Sequence, residues 1–228
     1  MKIHKVFLVA FILILAPTLV NAKAKKVDDF HWSGVERIIA IGDLHGDYER
    51  YFDVMQSAGL IDRKGKWSGG KTHLVQTGDI TDRGPDSKKI IDHLNGLKKQ
   101  ARKKGGYIHM LIGNHEAMNV IGDLRYVSAG EYQAFTGRNS ERLQEMQWQR
   151  QLQWMQANTP DFEQMDIDTV HAEWKKQIPL GWVEHRQAWA MSGPYGKWVK
   201  GNQVAVKIND TIFLHGGISQ KYCKDSLE

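Results

Sequence analysis

The chain has 228 residues, 41% hydrophobic and 25% charged, with a formal net charge of +5. These figures exclude a disordered or fibrous protein and point to one domain, or one domain carrying a sizeable insertion. The only cysteine, Cys223, excludes an internal disulfide.

Lys2, His4 and Lys5 precede an unbroken apolar run from Val6 to Leu15, followed by Ala16-Pro17-Thr18-Leu19-Val20-Asn21-Ala22. A charged start, a short apolar stretch and small or aliphatic residues before the cut predict a secretory signal peptide, residues 1–22, with Ala24 as a second cleavage point. A membrane anchor is the competing reading, but the stretch falls short of the roughly 20 apolar residues a spanning helix needs. Cleavage removes Lys2 and Lys5 and no acid, so the charge falls from +5 to +3. The expectation is a mildly basic protein, periplasmic or secreted, with no stable membrane association after the cut.

Residues 23–34 are expected to form a loose tail ahead of a domain spanning 35–228. The apolar segment from Arg37 to Ile41 predicts a strand leading into Gly42-Asp43-Leu44-His45-Gly46. Asp47 can cap a helix running through Tyr51, Val54 and Met55 to Gly59. A glycine-containing loop then leads to a second strand, Thr72 to Gln76, and to Gly78-Asp79-Ile80-Thr81-Asp82-Arg83-Gly84. Pro85-Asp86-Ser87 opens a helix with Ile90, Ile91, Leu94, Leu97 and Ala101 on one face, stopped by Gly105-Gly106. Lys98, Lys99, Arg102, Lys103 and Lys104 crowd its end, where cations complement the helix dipole and form a solvated face. No nucleic-acid partner is expected from them. The third strand, Tyr107 to Ile112, delivers Gly113-Asn114-His115-Glu116. Three such units in a row predict an α/β fold with parallel strands.

After Asn119 the alternation stops. Six of the eight tryptophans, Trp148, Trp154, Trp174, Trp182, Trp189 and Trp198, fall between about 122 and 201. A glutamine-rich helix from Ser140 to Ala157 and another from Asp161 to Gln177 predict a helical insertion packed on the α/β core, placed where a substrate lid would stand. Its aromatic and methionine stripes read as packing surfaces. Val204 to Ile208 and Thr211 to Leu214 read as strands joined at Asn209-Asp210, and His215-Gly216-Gly217-Ile218-Ser219 follows at once.

Asp43, His45, Asp79, Asn114 and His215 therefore all stand just past predicted strands. Carboxylate, imidazole and amide oxygen together suit manganese, iron or zinc. Asp43 and His45 can lean toward one ion, Asp79 can bridge two, and Asn114 with His215 can serve the second. Two cations roughly 3.5–4 Å apart lower the pKa of a shared water and hold phosphate oxygens for in-line attack, so the pattern points to phosphate ester hydrolysis. His115 is placed to protonate the leaving oxygen, Asp82 to orient that imidazole, and Arg83 to grip two phosphate oxygens. Substrate contact would fall to Arg83, Asn114 and His115. Singly, each residue has a plainer role as a turn former or an ordinary surface or core group. Their order and like spacing argue for a site. His31, His73, His93, His109 and His171 have no such company and receive no role.

The Gly-Asp-x-His-Gly, Gly-Asp-x-x-Asp-Arg-Gly, Gly-Asn-His-Glu and His-Gly-Gly blocks resemble the phosphoprotein phosphatase family of calcineurin-like metallophosphoesterases, over about Arg37–Asn119 and Gly193–Ser219. Gly193-Pro194-Tyr195-Gly196-Lys197-Trp198, the leader and the long insertion are similar to its Shewanella-like branch. The resemblance implies an α/β/β/α sandwich, incomplete at the carboxyl terminus, with the Trp-rich helical insertion. It implies two divalent metal ions, manganese first and iron or zinc otherwise, one held by Asp43, His45 and Asp79, the other by Asp79, Asn114 and His215. His115, Asp82 and Arg83 would act on a phosphorylated protein or small phosphomonoester, without a phosphoenzyme. Phosphotyrosine is implied as a substrate alongside phosphoserine and phosphothreonine. A nucleotide phosphoanhydride or phosphodiester hydrolase, and an inactive phosphoprotein-binding module, are the alternatives. The family also carries a metal-binding histidine and a phosphate-binding arginine well beyond its His-Gly-Gly block, whereas nine residues follow Ser219. A site short of both, with weak or absent activity, is the corresponding expectation.

Overall fold

The structure is a computed structural model that describes residues 25–26 and 30–224. The expected signal peptide lies outside the described residues. Among those described, no helix is long and apolar enough to cross a membrane.

Three parallel strands, β3 (Ile38–Ile41), β4 (His73–Gln76) and β5 (Tyr107–Met110), form one sheet in the order β3-β4-β5. Their register aligns Ile41 with Gln76 and Gln76 with Met110, so the three following loops emerge at one edge. Helix α1 (Tyr48–Ser57) starts where the Asp47 carboxylate accepts the N–H of Arg50, and α2 (Ser87–Lys103) ends ahead of Gly105 at φ +77°. The apolar face of α2 packs with Leu74, Ile108 and Met110 into the main core, burying Ile90, Ile91, Leu94 and Leu97 completely. On the opposite face of β4, Val75 joins a second cluster with Val35, Leu111, Val206 and Ile208. This is the period-two alternation of a strand covered on both sides.

That second face is covered by another sheet, β1 (Lys25–Lys26), β2 (His31–Ser33), β6 (Ala205–Ile208) and β7 (Thr211–Leu214). The layers are therefore helix, sheet, sheet across the described residues. The expected loose tail is corrected here. His31–Ser33 runs parallel to β6, and the Trp32 ring packs 4.4 Å from Tyr107, 4.9 Å from His73 and 5.5 Å from His109. That packing of the indole offsets part of the entropy lost in ordering the short strand. Asn209, at φ +53° in the β6–β7 turn, ties the strand down by exchanging two hydrogen bonds with the Val35 backbone.

From Asn114 to Lys200 helices alternate with loops: α3 (Asn114–Ile121) is followed by α4 (Ala129–Gln133), α5 (Ser140–Asn158), α6 (Ile167–Gln177), α7 (Trp182–Trp189) and α8 (Pro194–Lys200). Helix α6 starts later than expected because Asp166 caps it, accepting from the Thr169 amide and hydroxyl. Trp189 and Tyr195 bury against the same core as α2.

Candidate metal centre

Gly78-Asp79 leaves β4 in a sharp turn, with Asp79 at φ +56°. The Asp79 carbonyl accepts the N–H groups of Leu44 and His45, and Ile80 accepts that of Gly46, so the first two motif loops are stitched together. Gly46 and Gly84 meet at the seam: a Cβ on Gly46 would stand 2.6 Å from the Gly84 carbonyl oxygen, and one on Gly84 would stand 2.4 Å from that of His45. Side chains are sterically excluded at both positions. Gly113 begins the third loop under the same restriction, since its Cβ would lie 2.1 Å from Asp79 Oδ1.

The loops bring the predicted residues to one spot. Asp79 is buried; its Oδ1 accepts the His115 backbone N–H at 3.0 Å, and its Oδ2 faces three imidazoles. His215 Nε2 is 3.2 Å away, while His45 Nε2 and His115 Nε2 are each 3.9 Å away. Asp43 stands at the open side, 3.6 Å from His45 Nε2 and 3.9 Å from His215 Nδ1. Asn114 Oδ1 lies 3.1 Å from His215 Nε2. Two donor groups result, His45–Asp79–His115 and Asp43–Asp79–His215.

Behind this centre lies a second row of hydrogen-bonded side chains. His115 Nδ1 sits 2.7 Å from Asp82 Oδ2, with both side chains buried, so its Nε2 is turned toward the centre. Asp82 and Arg83 take φ of +72° and +67°, a strained pair held where Arg83 N–H donates to the Tyr126 carbonyl. Arg83 Nη2 reaches 3.5 Å from His115 Nε2. Glu116, with no exposed surface, accepts the N–H groups of Gly113, Asp79, Ile80 and Thr81 at 2.8, 2.9, 2.8 and 3.3 Å. Burial pushes its carboxyl above the ordinary range, and the backbone donors pull it back down.

Residues 36–228 match a family described as calcineurin-like phosphoesterase. The chain belongs to that family. Among its relatives, Shewanella-like protein phosphatase 2 of Arabidopsis thaliana is 33% identical over 196 residues, covering 85% of this chain and 49% of the relative. Shewanella-like protein phosphatase 1 of Plasmodium berghei is 36% identical over 129 residues, 57% of this chain and 35% of the relative. The crystal structure of a cold-active protein-tyrosine phosphatase from a psychrophilic Shewanella species superposes with a TM-score of 0.58 at 27% identity, over 86% of this chain and 46% of that one. The chain thus spans about half the length or less of these relatives.

A calcineurin-like phosphoesterase implies divalent cations, and the donors present fit them. His45 Nδ1 donates to the Thr81 carbonyl at 2.9 Å, which fixes the tautomer and leaves Nε2 as a lone pair aimed at Asp79 and Asp43. That nitrogen is buried with no hydrogen-bond partner, as is His215 Nδ1. Buried ligating atoms left unpaired beside two carboxylates match what a cation would satisfy. In this calcineurin-like phosphoesterase the structure brings Asp43, His45, Asp79, Asn114 and His215 together, with His115, Asp82 and Arg83 beside them. Sequence reasoning passed over Glu116, Asn119 and Tyr126. Glu116 closes the Gly113-Asn114-His115-Glu116 motif and Asn119 follows three residues later, but the partners that give them a task, Asp79 to Asp82, are about 35 residues distant in sequence. Tyr126 is half-exposed, its ring 5.1 Å from that of His115, with Arg83 and Arg125 at 5.9 and 5.7 Å from its centroid.

Proposed function

We propose that this chain carries the catalytic centre of an exported, metal-dependent phosphomonoesterase acting on phosphorylated proteins, phosphotyrosine included. The convergence of three imidazoles on Asp79 Oδ2, with Asp82 and Arg83 behind His115, carries this reading. Asp43, His45 and Asp79 would hold one cation and Asp79, Asn114 and His215 the other, manganese being the first candidate. Bound there, the ions would supply Lewis acidity to the phosphoryl oxygens and a water of lowered pKa.

The chain's own groups account for the rest of the chemistry. Arg83 presents a planar fork toward the centre and would take two non-bridging oxygens. His115, oriented by Asp82, directs Nε2 to where the leaving oxygen would sit and would deliver the proton it needs. Tyr126 flanks that position with a flat apolar face, suited to the side chain carrying the ester. The names of the Arabidopsis, Plasmodium and Shewanella relatives support phosphoprotein as the substrate class, and the leader-like sequence at residues 1–22 supports a periplasmic or secreted location.

The test is a comparison of two variants with the parent chain. Asp79→Asn is expected to lose bound metal and para-nitrophenyl phosphate turnover together, whereas His115→Asn keeps its metal and loses turnover. Metal analysis showing equal loss in both would break the separation of roles. Faster cleavage of a bis ester or a dinucleoside polyphosphate than of the monoester would redirect the assignment to phosphodiester or phosphoanhydride hydrolysis.

A further inference from the structure

Asn119 lies one helical turn beyond His115 on α3 and is 1% exposed. Its Nδ2 stands 2.8 Å from Asp82 Oδ1, 3.0 Å from the His115 carbonyl oxygen and 3.5 Å from Thr81 Oγ1. A carboxylate and a carbonyl have no hydrogen to give, so the amide nitrogen, not its oxygen, must face them. Asp82 has no exposed surface, and its two oxygens are divided: Oδ2 receives His115 Nδ1 at 2.7 Å, and Oδ1 receives Asn119 Nδ2. Without Asn119, one oxygen of a buried carboxylate would lose its donor, and the carboxylate plane would no longer be fixed against the imidazole.

Asn119 is itself anchored from the helical segment. Its backbone carbonyl oxygen accepts from Arg186 Nη1 on α7 at 2.5 Å, close to the carboxyl end of α3, where a cation is favoured. Gly122, at φ +88°, ends α3 and lets the guanidinium pass; a Cβ there would meet Arg186 Nη2 at 3.1 Å. The same short helix therefore presents Asn114 and His115 at one end and is clamped by α7 at the other.

We propose that Asn119 is a positioning residue that holds Asp82 in the orientation His115 requires, and that Arg186 makes the helical segment part of this device. The inference rests on His115 as the proton donor of the proposed reaction. It assigns the segment 122–201 a task at the centre beyond covering it.

The first experiment needs no metal and no turnover. In the metal-free chain with nitrogen-15-labelled histidine, the His115 Nδ1 proton should appear as a downfield resonance slow to exchange, assigned by its absence in His115→Asn. Asn119→Ala and Asn119→Leu should each abolish it or speed its exchange at least about 10-fold. Arg186→Ala should speed exchange less, and Arg186→Lys should restore it. Leu97→Val, a core change of comparable stability cost remote from the centre, should leave the resonance in place. The proposal is overturned if wild type shows no such proton, if both Asn119 variants retain it unchanged, or if Leu97→Val loses it as they do.

The second experiment uses the metal-loaded chain and separates positioning from general damage. A leaving group of low basicity needs little help from an acid, so Asn119→Ala should lower kcat for phenyl phosphate about 10-fold more than for para-nitrophenyl phosphate, with KM little changed. Equal falls on the two substrates would overturn the proposal. Wild type inert toward both would match the expected shortage of a metal ligand and a phosphate-binding arginine, and the proton resonance alone would then decide the placement of Asp82.

Discussion

Four backbone N–H groups, those of Gly113, Asp79, Ile80 and Thr81, converge on the buried carboxylate of Glu116. They belong to two different loops, so a single side chain sets where Asp79 lies relative to Asn114 and His115. Glu116→Gln keeps the shape but turns one oxygen into an N–H donor facing N–H donors. Hydrogen bonds to a buried charge contribute about 1.5–3 kcal/mol, and a repulsive pair adds to that loss. We predict a fall in unfolding free energy of about 3 kcal/mol and weaker metal binding, read by denaturant titration and by metal titration of the same samples. An unchanged midpoint would show that the loops hold themselves. Tyr126 acts at the same scale but outside the core. Because its backbone carbonyl would still hold the Arg83 backbone N–H, Tyr126→Ala should spare the fold while raising KM for aryl phosphates about 3-fold to 10-fold. Tyr126→Phe should keep the parent KM, and steady-state kinetics on the three proteins would check both.

At the scale of elements, α4 docks on the start of α2. Gly130 meets Pro85, with a Cβ there only 2.5 Å from the proline ring, and Ser128 Oγ donates to the Gly84 carbonyl. Glu131 is carried into a buried position beside Ser87 and Asp82. Burial pushes its carboxyl up to about 8, contact with Ser87 opposes the rise, and the Asp82 charge adds to it. A folded pKa above the unfolded value of 4.5 means the folded chain binds the extra proton. Its stability contribution is complete below about pH 4.5 and is lost as pH rises toward 8. Glu131→Gln, neutral throughout, should remove that loss, making the variant on the order of 2 kcal/mol more stable relative to parent at pH 8 than at pH 5. Guanidinium unfolding at the two pH values measures the difference. Helix α2 was legible in the sequence because a 17-residue element repeats its apolar positions at helical spacing. The motif loops were legible because ligands at strand ends recur in order. Helices α4, α7 and α8, of five to eight residues, carry too few turns for a period, and distant partners fix their burial. Strand β2 escaped for the same reason: three residues take their identity from β6, about 175 positions later.

Across the whole molecule, three histidines without a role at the centre are sealed between its layers. His73 and His109 lie between the two sheets with ring nitrogens 3.1 Å apart, Trp32 and Tyr107 packed against them. His185 on α7 sits among Tyr132, Phe135 and Trp189. Strand alternation places His73 and His109 on the face shared with Val75 and Leu111, and the second sheet covers it. Burial lowers His73 from 6.5 to about 4, and His109 and His185 to about 3, with mutual charge repulsion adding at His109 and Arg186 adding at His185. All three are neutral when folded, and each takes up a proton on unfolding once pH drops below about 6.5. Their contribution to stability is therefore complete above that pH and is lost as pH falls toward about 4 and 3. Glu131 works in the opposite sense over part of this range, so the measurement belongs in the Glu131→Gln background and in chelator, where ligand protonation adds no metal release. There, the three histidines should contribute to the fall in unfolding free energy between pH 6 and pH 5 a slope approaching three protons, or about 4 kcal/mol per pH unit, which the raised Glu116 carboxyl opposes. His185→Gln should remove about one proton from that slope, because a neutral amide fills the site without titrating. A stability profile flat from pH 7 to pH 5 would mean that the layers open to water around these rings, and the two-sheet packing drawn through Trp32 would be wrong.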